Sequence, residues 1–119
     1  MGALLVSLLS GVVSALFSLG YKLAGLAASG LTDAIDITDG SRGIPLMAPG
    51  DFIHLLRGRL GWSAPGGDAV ELIPHFTGRD LNVMGVQSRL IGYHAHRIRN
   101  VLFITGDPTS IGDFPQASS

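Results

Sequence analysis

Apolar positions in this chain change period several times after residue 31, and each change marks an element. AIDITDG, from Ala34 to Gly40, reads as a short strand ending in polar residues and glycine. PGDFIHLLRGRLG then repeats its apolar residues at helical spacing; Pro49 and Asp51 open this helix and Gly61 stops it. WSAPGGD is a loop by its proline and glycines. AVELIPHFTG is a second strand, with Pro74 near its polar end. Asp80 or Asn82 caps a second helix running to about Ile98, which sets Val83, Leu90, Ile91, Ala95 and Ile98 toward a core. NVLFITGD is a third strand, broken at Gly106 and Pro108, and PTSIGDFPQASS after it is loop-like.

Strands and helices that alternate with short connections predict parallel strands joined by right-handed crossovers. The strand runs are nearly continuous in apolar residues, which predicts cover on both faces. The fold class is α/β, and the βα unit recurs at intervals of about 30 to 37 residues, counted at Thr38, His75 and Thr105.

The amino terminus differs. No charge occurs from Met1 to Tyr21, and Lys22 stands alone until Asp33. A bilayer takes about 20 apolar residues, so the run is long enough to cross one. A signal peptide is a second reading, although the basic leader is missing and LAASG is only a loose cleavage site. A buried helix is a third, with Ser7, Ser10, Ser14, Ser18 and Lys22 as its narrow polar stripe. A segment foreign to the domain is a fourth. The chain therefore divides into an apolar segment, 1–30, and an α/β region, 31–119. A cytoplasmic location is expected, which the absence of cysteine fits, and any membrane association would run through 1–30.

Composition narrows the function classes. The chain has 119 residues, enough for one domain. Its 46% hydrophobic and 14% charged content excludes intrinsic disorder. Eight basic against nine acidic residues leave no field for a nucleic-acid backbone. Without cysteine there is no disulfide, zinc-thiolate, iron–sulfur or cysteine-nucleophile chemistry. His94 and His96 are two apart and face different sides of a helix, so no metal site is expected. Neither a P-loop nor a Gly-x-Ser-x-Gly elbow is present.

Polar chemistry gathers where the strands end, the edge at which parallel α/β folds bind ligands. The first strand offers Thr38, Asp39, Ser41 and Arg42; the second His75, Thr77, Arg79 and Asp80; the third Thr105, Gly106 and Asp107. Asp51, Asp80 and Ser41 read as caps and turn formers. His75 and Asp107 follow long apolar runs and would point into the mouth of a sheet or barrel; a structural and a functional role stay open for both. His54 reads as a rim residue among leucines, and Arg97 and Arg99 complement a helix dipole.

The string IPHFTGRDLNVMGVQSRLIGYHAHRIRNVLFITGDPTSIGDFP resembles the methylenetetrahydrofolate reductases. It looks most like the bacterial form joined to a homocysteine methyltransferase domain. The resemblance rests on Pro-His-Phe-Thr, then MGVQS at Met84 to Ser88, then IRNVLFITGDP, in that order; DAIDITDGS before them fits the preceding strand, and the whole spans Leu31 to Pro115. It implies about three βα units, strands two to four, of a (β/α)₈ TIM barrel. It implies FAD at the carboxyl face, NAD(P)H as hydride donor and 5,10-methylenetetrahydrofolate as the substrate reduced to 5-methyltetrahydrofolate. Carried over by position, Thr38, Asp39, Ser41, His75, Thr105, Gly106 and Asp107 would contact the flavin, with Thr105 where some members have arginine. Asp107 would also tune the flavin and meet the folate. A homo-oligomer is implied for the complete enzyme. The family's general-acid glutamate has no counterpart, since the one glutamate, Glu71, begins a different strand. Three strands cannot close a barrel, so this reading expects an incomplete reductase chain, inactive alone; the alternatives are a membrane-associated remnant and a small α/β binding module with no catalysis.

Overall fold

The computed structural model describes residues 22–43, 46–62 and 68–116. Within them lie three helices and a three-stranded parallel sheet. Helix α1 covers 22–28, β1 is Ala34–Ile37, α2 is Pro49–Leu60, β2 is Glu71–Thr77, α3 is Val83–Ala95 and β3 is Leu102–Ile104. The strand order is β1-β2-β3, every pairing parallel. The α/β class read from periodicity is the one observed.

The central strand changes partner at its proline. Residues Glu71 to Pro74 pair with β1, and His75 to Thr77 pair with β3. Pro74 has no N–H to give a ladder, so the changeover falls where the chain has a donor missing.

Local sequence sets the helix ends. Pro49 sits in the first turn of α2, where a missing N–H costs nothing. Gly61 closes α2 in the left-handed region at φ 70°, its N–H donating to the Arg57 carbonyl. Asn82 caps α3, its side chain accepting from the Gly85 N–H at 2.9 Å. The expected run to Ile98 is shortened because Arg97 takes φ 59°. The Ile98 N–H then donates to the Tyr93 carbonyl and the Arg97 N–H to the His94 carbonyl, a Schellman closure built on a non-glycine residue.

One core holds these elements together. Leu23 of α1, Phe52, Ile53 and Leu56 of α2 and Tyr93 of α3 pack with Ile37, Leu72 and Phe76 of the sheet. Phe76 and Ile53 are fully buried, each worth roughly 2–3 kcal/mol of apolar transfer. Gly50 lets α2 and α3 approach, since a Cβ there would stand 2.6 Å from Tyr93 Cε1.

Two expectations are corrected here. Val83, Leu90 and Ile91 do not face the core: they are 72%, 41% and 71% exposed. Ala95 is exposed too. Val86 and Tyr93 face inward instead, and Ile98 is buried just past the helix. Tyr93 decides the rotation by meeting Phe76 edge-on at 5.9 Å. Nor are the strands covered on both faces. Strands laid down in consecutive order by crossovers of one hand keep every helix on one side of the sheet. The other side carries Asp36, Ile73, His75, Leu102 and Ile104, none fully buried. Among the described residues no helix is long and apolar enough to cross a membrane, and the uncharged run Met1 to Tyr21 lies outside them.

Candidate functional site

Parallel strands end at one edge, so the residues just past β1, β2 and β3 meet. Thr38, Asp39 and Gly40 follow β1, and a 3-10 turn at Ser41–Gly43 comes next. Thr105, Gly106 and Asp107 follow β3. His75 reaches the same edge from the open face of β2. All seven residues expected at the site line one concavity of about 390 Å³.

Two carboxylates lace the strand ends. Asp39 Oδ2 accepts from the Thr77 N–H at 2.9 Å and from Arg89 Nη1 at 3.0 Å. The Thr77 hydroxyl donates to the Asp39 carbonyl at 2.9 Å. The Asp39 side chain is 14% exposed, so this ion pair is partly shielded and stronger than a surface pair. Arg89 also lies over the Phe76 ring, 5.3 Å from its centre, a cation–π contact that fixes the guanidinium. Asp107 Oδ2 accepts from the Arg42 N–H at 2.7 Å. Asp107 thus reaches back from the third strand to the turn after the first.

Arg79 frames the mouth beside Asp107. Its Nη1 donates to the Asp107 carbonyl at 3.0 Å, and its Nε and Nη2 grip Asp80 at 2.8 and 2.6 Å. That fork holds the Asp80 carboxyl below its ordinary range. Asp80 is therefore an ion-pair partner, and Asn82 alone caps α3. Gly106 sits between the two lacings at φ 90°. A Cβ there would stand 2.5 Å from Thr77 Cγ2, so both backbone and space demand glycine.

His75 is the unsatisfied group. Its Nε2 is buried with no hydrogen-bond partner, and the nearest carboxylate oxygen, Asp36 Oδ2, is 3.8 Å away, beyond bonding distance. A buried polar atom without a partner costs about 1–3 kcal/mol.

No family model, no curated protein and no solved structure matches this chain. The site must be read from its own chemistry. The concavity is lined by Thr38, Ser41 and Thr105 with their hydroxyls, the imidazole of His75 and the carboxylates of Asp39 and Asp107. No lysine or arginine lines this concavity among the described residues, so a diphosphate has no cation here. Among the described residues no group of three or more histidines and carboxylates could hold a metal ion.

Arg89 is the site residue the sequence reading missed. It lies three residues after Val86 and four before Tyr93, inside the buried stripe of α3. A charge on the core side of a helix requires a carboxylate partner, and that signal points to Asp39.

Proposed function

We propose that the carboxyl edge of this sheet is part of a flavin site of the methylenetetrahydrofolate reductase kind. The single observation that carries the reading is that seven residues from three separated stretches line one concavity. The consecutive strand order with all helices on one face supports the finer fold, a run of βα units of the (β/α)₈ barrel type. FAD when bound would supply hydride transfer between NAD(P)H and the methylene folate.

The chain's own residues bind and orient. Thr38, Ser41 and Thr105 offer hydroxyls to ring and ribityl atoms. His75, which lines the concavity, would pack its ring against the bound group. Asp107, steadied by the Arg42 N–H, keeps a negative charge at the ring and opposes more charge there. Asp39, neutralised by Arg89, holds the first strand end to the second. Glu71 takes no part: it lies at the opposite edge of the sheet, bonded to Asn100 at 2.9 Å. Proton delivery to the folate is thus not assigned to any residue described.

Titration of the full chain with FAD, FMN and riboflavin, followed by quenching of flavin fluorescence, tests the reading. All three are expected to bind alike, with dissociation constants of roughly 10–500 µM. His75→Ala and Asp107→Asn are expected to weaken each at least tenfold, about 1.4 kcal/mol. No saturable quenching at millimolar flavin, or binding that both substitutions leave untouched, overturns it.

A further inference from the structure

At the amino edge of the sheet a concavity of about 360 Å³ opens between α2 and the end of α3, and two histidines share its wall. His54 lies on α2 and His96 is the C-cap of α3. Their ring centres are 5.2 Å apart and their planes are tilted by 53°, so the rings meet without stacking. Both residues are exposed. Among the described residues no hydrogen bond ties down either imidazole. The two are distant in sequence, and only the packing of α2 beside α3 brings them together.

We infer that His54 and His96 bind one divalent transition-metal ion between them, with water completing its shell. Imidazole nitrogen suits late first-row ions such as Zn²⁺ and Ni²⁺, whereas Mg²⁺ and Ca²⁺ take oxygen. A zinc ion stands about 2.0–2.1 Å from a ligating imidazole nitrogen, and hence roughly 3.2 Å from the ring centre. Two rings on one tetrahedral ion therefore have centres about 5.2 Å apart. The observed separation has that value before any ion is added. The last torsion of a histidine is broad, so each ring turns a nitrogen to the ion without leaving its place.

The charges around the pair admit a cation. Arg57 is forked onto Asp68, and Glu71 and Arg97 line the same concavity, so two cations stand against two anions. His96 lies at the carbonyl end of α3, where a helix favours positive charge. Two protein ligands make an open site of modest affinity, unlike the closed four-ligand centre of a structural zinc. The spacing of His94 and His96 gives no hint of it, because the partner of His96 is on another helix. A bound ion would clamp α2 to α3. The pair sits at the edge opposite the strand ends, so the inference stands whether or not flavin binds.

Calorimetric titration of the untagged full chain with ZnCl₂, NiCl₂ and MgCl₂ at neutral pH tests it. Zn²⁺ and Ni²⁺ are expected to bind one per chain with dissociation constants of roughly 10–500 µM, and Mg²⁺ to give no saturable heat. His54→Gln and His96→Gln are each expected to weaken Zn²⁺ and Ni²⁺ at least tenfold, and His94→Gln to leave both within twofold. The replaced side chains are exposed, so the far-ultraviolet circular dichroism should stay unchanged. Ni²⁺ should also raise the urea midpoint of the unaltered chain and of neither site variant, because an ion held by two helices favours the folded state. No saturable heat from Zn²⁺ or Ni²⁺ at millimolar metal, affinity that either site variant leaves within twofold, or an equal loss from His94→Gln overturns the inference.

Discussion

The two ends of the sheet are both laced by arginine and aspartate, yet they are built to different ends. At the amino edge Arg57 is saturated. Its Nε and Nη2 fork onto Asp68 at 2.8 and 2.7 Å, and its Nη1 donates to the His96 carbonyl. Both side chains are about 15% exposed, and the pair ties α2 to the loop before β2 and to the end of α3. The concavity beside it, about 360 Å³, has its two carboxylates Asp68 and Glu71 already bonded. At the carboxyl edge the carboxylates are held by backbone N–H groups, a glycine keeps the floor clear, and a buried imidazole nitrogen has no partner. At the amino edge the carboxylates are saturated by side chains, and at the carboxyl edge they are held in part by backbone N–H groups beside a buried, unpaired imidazole nitrogen. The carboxyl edge is the one at which parallel α/β folds bind ligands.

Four substitutions sharpen or break the comparison. The largest effect is expected at the amino edge. Arg57→Ala leaves Asp68 part-buried and unpaired and frees the α3 terminus, so urea unfolding should show a loss of about 2–3 kcal/mol. Flavin affinity of the folded protein should not change; a parallel loss of binding would erase the distinction between the ends. Next is Gly106→Ala at the carboxyl edge. A left-handed backbone and a 2.5 Å contact with Thr77 make it cost about 2 kcal/mol, with distortion of the Thr105–Asp107 turn. Retention of both stability and binding would show that the floor is not tight.

A smaller gain is expected from Arg97→Gly. Arg97 occupies φ 59° at the end of α3, where glycine has no Cβ penalty, so the midpoint of unfolding should rise by about 1 kcal/mol equivalent. The smallest effect belongs to neither end. The Tyr93 hydroxyl is buried without a partner, so Tyr93→Phe should be neutral or stabilising by less than about 1 kcal/mol. Burial also raises the Tyr93 pKa above its ordinary 10.0. The folded value exceeds the unfolded one, so its contribution is complete below pH 10 and declines as pH rises toward the folded value. The phenylalanine variant should lose that alkaline decline; an identical pH profile would count against the burial argument.

Much of this was legible beforehand. Strands, helices and the site cluster follow from period changes, from Pro49, Gly61 and Asn82, and from polar residues placed just past apolar runs. The rotation of α3 was not. Its apolar residues divide between two faces, and Val83, Leu90 and Ile91 outnumber Val86 and Tyr93, so counting picks the wrong side. What decides is an aromatic contact with Phe76 and a glycine on another helix, both distant in sequence. Arg89 was hidden for the same reason: on the wrong rotation it looks like a solvated charge.

The consecutive strand order also bears on how the chain assembles. Each strand pairs only with the next one along the chain, so no strand waits for a distant partner. Every closure spans one βα unit and carries a loop entropy of about 3 kcal/mol, a modest and repeated barrier in place of one large one. Such an order permits growth by accretion. As it leaves the ribosome, β1 with α2 forms a docking edge for β2, and β2 with α3 forms one for β3, so native structure can advance at the pace of synthesis.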